Sequence, residues 1–152
     1  MNQLQIGCII MAAGNASRFG ENKLAAELDG QSLISRVLHA VPAECFHQVA
    51  VVSQYPEVLQ LAEEFRFSPV RNRHPDWGIS HTIALGLDAL LDCNGALFLV
   101  SDQPLLRRES VAALVELWRS QPDKIAALAH NGVRGNPCLF PARFFPELLE
   151  LR

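Results

Sequence analysis

A run of residues near the amino terminus, Ala12-Ala13-Gly14-Asn15-Ala16-Ser17-Arg18-Phe19-Gly20-Glu21-Asn22-Lys23, joins small side chains to two cations. Small side chains let backbone N–H groups come close to an anion, and Gly14 and Gly20 can take up positive φ where a loop must curl. Arg18 can fork onto phosphate oxygens, and Lys23 offers a compact charge of the kind that neutralises a polyphosphate. A nucleoside triphosphate fits this inventory. The run is not a Walker A loop, since Gly14 and Lys23 lie too far apart and neither Ser nor Thr follows Lys23. It also lacks the G-x-G-x-x-G spacing of dinucleotide folds. The alternative is an ordinary strand-to-helix loop with solvated Arg and Lys.

A second chemical candidate is Asp102, which follows the apolar run Ala96–Val100 and precedes Gln103-Pro104. A carboxylate just past a buried strand can reach a hard cation bound to phosphates, and Mg²⁺ needs only one or two protein carboxylates besides phosphate oxygens. Asp also favours helix caps and turns, so capping near Arg107 or satisfying the turn before Pro104 is the competing role. Between the two candidates, Arg71–Ser80 reads as a loop, with Pro75, Asp76 and Gly78 marking turns before a helix. Ser80 and Thr82 suit a helix amino terminus, Trp77 reads as packing that loop, and His74 and His81 receive no catalytic role. Nucleotidyl transfer asks mainly for positioning and charge stabilisation, so no Ser/His/Asp or Cys/His constellation is required.

The elements that must position these residues are legible as short apolar runs alternating with helical periods. Ile6–Met11, Gln48–Ser53, Ala96–Val100 and Ile125–Ala129 read as strands buried on both faces. Helical spacing joins Leu33, Ile34, Val37, Leu38 and Val41; Val58, Leu59, Leu61 and Ala62; Ile83, Ala84, Leu87, Leu90 and Leu91; and Val111, Leu114, Val115 and Trp118. Such alternation predicts an α/β fold with a mostly parallel sheet and helices on both sides. Ligands of such sheets bind beyond the carboxyl ends of the strands, which singles out Ala12–Lys23 and Ser101–Pro104.

With 152 residues, 49% of them hydrophobic, the chain can bury a sizeable core as one domain. Asp29-Gly30 and Asn131-Gly132 mark turns rather than boundaries. A net charge of −3 and the lack of any Lys/Arg run argue against nucleic acid as a partner. The apolar stretch Ile6–Ala13 is too short to span a membrane and follows no basic segment, so neither a signal peptide nor a membrane anchor is expected. Cys8, Cys45, Cys93 and Cys138 are scattered without metal spacing, as reduced thiols of a cytosolic protein would be.

The pattern Ala12-Ala13-Gly14-x-x-Ser17-Arg18-Phe19-Gly20-x-x-Lys23-Leu24 resembles the signature loop of the MobA/MocA-like nucleotidyltransferases. The likeness continues through Leu28-Asp29-Gly30-Gln31-Ser32-Leu33-Ile34. It then takes in Asn72 through Trp77-Gly78-Ile79-Ser80 into Ala84-Leu85-Gly86-Leu87, followed by Ser101-Asp102-Gln103-Pro104-Leu105 and Arg134-Gly135-Asn136-Pro137-Cys138-Leu139-Phe140. The Asp-Gln-Pro form is similar to the molybdopterin cytidylyltransferase branch.

The resemblance implies a three-layer α/β/α Rossmann-like nucleotidyltransferase fold over residues 1–152 and transfer of CMP from CTP onto molybdopterin, with release of pyrophosphate. It assigns catalysis to Arg18, Lys23 and Asp102, with Mg²⁺ on Asp102. Nucleotide contacts fall to Ala12, Ala13, Gly14, Gly78, Ile79, Ser80 and Gln103. A cytoplasmic setting and a molybdenum hydroxylase as a further partner also follow from it. Family members generally continue past the equivalent of Leu149 through a further strand and a segment with a second metal-binding Asp, so the expected domain is a shortened one. Asn136 stands where relatives often carry the His of a Gly-His-Pro motif. A reading of another class stands beside this one: a catalytically silent nucleotide- or cofactor-binding accessory module for a molybdenum enzyme, marked by triphosphate binding without turnover.

Overall fold

A computed structural model of the chain describes residues 4–12, 27–28, 31–74, 77–90, 93–100, 107–130 and 133–150. Its elements run β1 (Ile6–Ala12), β2 (Glu27–Leu28), β3 (Gln31–Ser32), α1 (Leu33–His39), β4 (Gln48–Ser53), α2 (Pro56–Glu64) and β5 (Ser68–Arg71). They continue through α3 (Ile79–Ala89), β6 (Gly95–Val100), α4 (Arg108–Ser120), β7 (Ala126–His130), β8 (Val133–Pro141) and α5 (Phe145–Leu149). One sheet takes the order β5-β4-β1-β6-β8-β7, and β2 and β3 pair separately as a short antiparallel ribbon. Pairing is parallel from β5 through β6 and antiparallel where β8 meets β6 and β7.

The period of two along β1 divides the core. Ile6, Cys8, Ile10 and Ala12 face Ile34 and Val37 of α1, Val58 and Ala62 of α2, and Val111, Leu114, Val115 and Trp118 of α4. Ile9 joins Ala50, Val52 and Phe98 on the opposite face, under Ile83 and Leu87 of α3 and against Phe145 and Leu148 of α5. A strand that buries both faces cannot alternate polar with apolar, which is why β1, β4 and β6 read as unbroken apolar runs. The helices do the reverse. In α4 the buried residues fall on one stripe while Glu109, Ala113, Glu116 and Leu117 lie exposed.

Gly86 sets how closely α3 approaches the sheet. A Cβ at Gly86 would lie 2.5 Å from Cγ2 of Ile9, a fully buried β-branched side chain with no room to retreat. Alanine gains roughly 1 kcal/mol of helix propensity over glycine. At an approach of 2.5 Å to a β-branched side chain the overpacking falls in the upper part of its usual range, about 2–3 kcal/mol, and outweighs it. We therefore expect Gly86→Ala to lower the melting temperature by about 2–8 °C. An unchanged or higher value in a thermal melt would refute the close contact.

Three features depart from the sequence expectation. β5 alternates half-buried with exposed residues and carries Pro69, features of an edge strand too short and polar to show as an apolar run. β8, with Gly135 and Pro137 inside it, was not among the expected strands, yet it lies between β6 and β7. Its register with β7 slips between the pairs Ala127↔Cys138 and Ala129↔Arg134, so Pro137 falls where no regular ladder bond is required. The run Ile125–Ala129, expected to be buried on both faces, instead supplies most of edge strand β7, with Ile125 36% exposed and Ala126 and Ala127 half-buried. Among the described residues β7 has a sheet neighbour on one side alone.

Candidate functional site

The carboxyl ends of four parallel strands lie in a row. Arg71 of β5 pairs with Ser53 of β4, Ser53 with Ala12 of β1, and Met11 of β1 with Val100 of β6. The chain leaves β1 towards β4 and β5 on one side and returns as β6 on the other, which makes the gap between Ala12 and Val100 the topological switch point. Ligands of doubly wound sheets bind in that crevice. Residue 13 continues from Ala12, residue 101 from Val100 and residue 72 from Arg71. β8 is antiparallel to β6, with Cys138 opposite Phe98, so residues preceding Cys138 run towards the same edge. All four motif stretches therefore start or end at one edge of the sheet.

Only part of the expected site lies within the described residues. Ala12 is the fully buried last residue of β1, so what it can offer a ligand is main chain. Gly78, Ile79 and Ser80 lie at the amino end of α3. Ala13, Gly14, Arg18, Lys23, Asp102 and Gln103 fall outside the described residues.

The 72–80 strap is fixed from beneath by a polar trio whose positioning role the sequence reading did not identify. Ser53, Asn72 and Thr82 are the buried polar side chains among the described residues, and all three lie at this edge. The Asn72 N–H donates to the Ser53 carbonyl at 2.9 Å, and its side-chain amide donates to Oγ1 of Thr82 at 3.3 Å. Its Oδ1 accepts from the His74 N–H at 2.8 Å. Asn72 thus holds the end of β4 through its backbone N–H and ties His74 to α3 through its side-chain amide, which left unpaired and buried would cost about 1–3 kcal/mol. The available signal was a polar residue directly ending or following a strand.

Gly78 has φ of 91°, a conformation that favours glycine, and among the described residues no atom beyond its chain neighbours lies within 4 Å of where a Cβ would stand. It is the N-cap of α3 and makes no side-chain cap bond. Ser80 is therefore the second helical residue rather than the cap, and capping does not account for it. Trp77 packs the loop through His74 but is left more than half exposed. It is 58% exposed and stacks on His74 with centroids 3.9 Å apart and planes 7° from parallel. His81 meets the indole edge at 4.8 Å.

Arg108, at the start of α4, donates to both carboxylate oxygens of Glu44 at 3.0 and 2.7 Å and to the Val41 carbonyl, so it is committed to the α1–β4 connection. A backbone hydrogen bond within Glu44, with Arg108 assisting, holds the Glu44 carboxyl below its ordinary range. Burial pushes the Cys8 thiol far above its usual range, which removes it as a nucleophile. Burial, then Glu44 and Glu116, raises that of Cys45. Among the described residues no cluster of three or more His, Cys, Asp or Glu could hold a metal, and no helix is long and apolar enough to cross a membrane.

A mostly parallel sheet with helices on both faces and a topological switch point between β1 and β6 defines an α/β domain of the kind that takes its ligand at that edge. Residues 8–152 match the MobA-like NTP transferase domain family, and the chain belongs to it as an NTP-dependent nucleotidyltransferase. The chain is 25% identical over 155 residues to the purine catabolism protein PucB of Bacillus subtilis, covering 95% of this chain and 74% of that protein. It is 30% identical over 156 residues to a Nostoc protein named "Probable molybdenum cofactor guanylyltransferase", covering 99% and 72%. Among solved structures, a nucleotidyl transferase from Methanothermobacter superposes with a TM-score of 0.78 at 22% identity, covering 97% of this chain and 76% of that one. CMP:2-keto-3-deoxy-manno-octonic acid synthetase in complex with CTP gives 0.74 at 13%, covering 97% and 78%. A manganese complex of the Mycobacterium tuberculosis protein Rv0371c gives 0.74 at 16%, covering 97% and 76%. These three likenesses establish the shared fold.

Proposed function

We propose that the chain transfers CMP from CTP to a molybdopterin-type acceptor, with release of pyrophosphate. The observation that carries this reading is the side-by-side ending of β1 and β6, Met11 paired with Val100, from which the Ala12–Lys23 and Ser101–Pro104 segments continue. An acceptor phosphate oxygen attacks the α-phosphorus in line, a new P–O bond forms, and the bond to the β-phosphate oxygen breaks as pyrophosphate leaves. Arg18 and Lys23 neutralise the charge that develops on the phosphates. Main-chain groups of Ala12, Ala13 and Gly14, with Gly78, Ile79, Ser80 and Gln103, hold the nucleotide. The relative named for molybdenum cofactor guanylyl transfer supports an acceptor of the molybdopterin type. The reading extends to a cytoplasmic enzyme that delivers its product to a molybdenum hydroxylase.

The donors suit Mg²⁺. Asp102 follows β6 by two residues in the sequence, the end of β6 lies beside that of β1, and one carboxylate plus phosphate oxygens begins such a site. Bound there, the ion would neutralise triphosphate charge and would be held by Asp102. The manganese complex of a structural neighbour supports a divalent cation in this fold.

The base is the point on which the relatives divide. The neighbour solved with CTP and the Asp102-Gln103-Pro104 form support cytidine, whereas the Nostoc relative's name favours guanosine. A base pocket built from main-chain groups rejects the wrong base because each buried polar group left unpaired costs about 1–3 kcal/mol. Competition between CTP and GTP at equal Mg²⁺, read with acceptor-dependent pyrophosphate release, is expected to favour CTP. Equal affinities or a GTP preference would overturn the cytidylyl assignment, and binding without pyrophosphate release would favour the silent module.

A further inference from the structure

The two most exposed large apolar side chains among the described residues are neighbours on the strap: Trp77 at 58% and Ile79 at 62%. Exposure of an indole is unfavourable by the area rule, so an exposed tryptophan held rigidly calls for an explanation. This one is held. The Trp77 N–H donates to the His74 carbonyl at 3.0 Å, and the His74 ring stacks on the indole at 3.9 Å, nearly parallel to it. His81 lies 4.8 Å from Trp77 and 6.0 Å from His74. The three centroid separations form a triangle with a near right angle at Trp77, which puts His81 beside the indole and not over its second face. Among the described residues no ring covers that second face. Its support runs down through Asn72 to β4 and α3, so the platform is anchored to the sheet at the edge where the substrates bind.

We propose that the open face of Trp77 stacks a planar heteroaromatic ring carried by one of the two substrates, with His74 backing the indole and His81 fixing its rotation. The proposal rests on the nucleotidyl-transfer reading for the identity of its ligands. Both substrates bring such a ring, the nucleotide its base and the molybdopterin-type acceptor its pterin, and stacking is tolerant of which one because each has a π-face. Trp77 directly precedes Gly78, beside whose backbone the space is open among the described residues.

The test is calorimetric titration of the wild type, Trp77→Phe and Trp77→Ala with CTP, GTP, inorganic triphosphate and a soluble pterin. Trp77→Ala is expected to weaken a ring-bearing ligand about tenfold or more, with Trp77→Phe retaining most of the affinity. Inorganic triphosphate, which has no ring, should bind all three proteins equally. Loss confined to the nucleotides assigns the platform to the base, and loss confined to the pterin assigns it to the acceptor. Equal affinities of wild type and Trp77→Ala for every ring-bearing ligand overturn the proposal. So does a loss for inorganic triphosphate as large as that for CTP, since the effect is then structural. Wild type that binds the pterin but no triphosphate would sink the transferase reading while leaving the platform standing.

Discussion

Replacing Arg18 and Lys23 together by alanine should weaken CTP binding by two orders of magnitude or more, an estimate built from about 1.5–3 kcal/mol for each hydrogen bond to a charged group. With a net charge of −3, the chain has no general attraction for a ligand as anionic as a triphosphate. The attraction must come from groups placed locally, and the segment that follows Ala12 in the sequence carries two cations, Arg18 and Lys23. Each single substitution is expected to cost roughly tenfold to a hundredfold on the same basis. Lys23→Arg should rescue only in part, because a planar fork and a point charge address phosphate oxygens differently. Titration calorimetry at constant Mg²⁺ and ionic strength reads the effect. CTP affinity unchanged in the double variant would remove this loop from the site.

Asp102→Asn should lower acceptor-dependent pyrophosphate release about 10²–10³-fold, the scale of losing one preorganised charge-stabilising group. The substitution keeps shape and removes charge, so the melting temperature should stay close to that of the wild type. The two ionic conditions should then separate. With Mg²⁺ the variant binds CTP more weakly and responds less to added metal, since a ligand of the ion has gone. In chelator it binds CTP as well as the wild type or better, because an unpaired carboxylate beside a triphosphate is repulsive. Wild-type metal dependence in the variant would exclude Asp102 as the ligand.

How much of this was legible follows from what each element buries. β1, β4 and β6 were readable because both faces are covered by helices, and the four long helices because each buries one stripe. β5 and β8 were not. One is a short edge strand containing Pro69, and the other carries Gly135 and Pro137 through a register slip, so neither shows the continuous apolar run that marked their neighbours. The four motif stretches were visible as residue patterns, but Asn72 looked like the start of one of them and not its anchor. Trp77 packs its loop through His74 as expected, but its degree of exposure was not legible for a related reason. Tryptophan usually packs, and its exposure depends on what surrounds the strap in space.

By itself the sequence determined the fold class and the chemistry on offer, because periodicity reports burial and small, cationic and acidic residues report what a loop can bind. It did so through local spacing, which sequence states directly. The tertiary structure decided three things that depend on contacts between distant segments. Parallel pairing of β1 with β4 and β6 placed the ends of those strands together, although their residues lie far apart in the chain. The antiparallel insertion of β8 brought a fourth motif stretch towards the same edge. Burial of Asn72 between β4 and α3 converted an ordinary polar side chain into the support of an exposed aromatic platform, since a buried amide must find its partners and thereby fixes whatever supplies them.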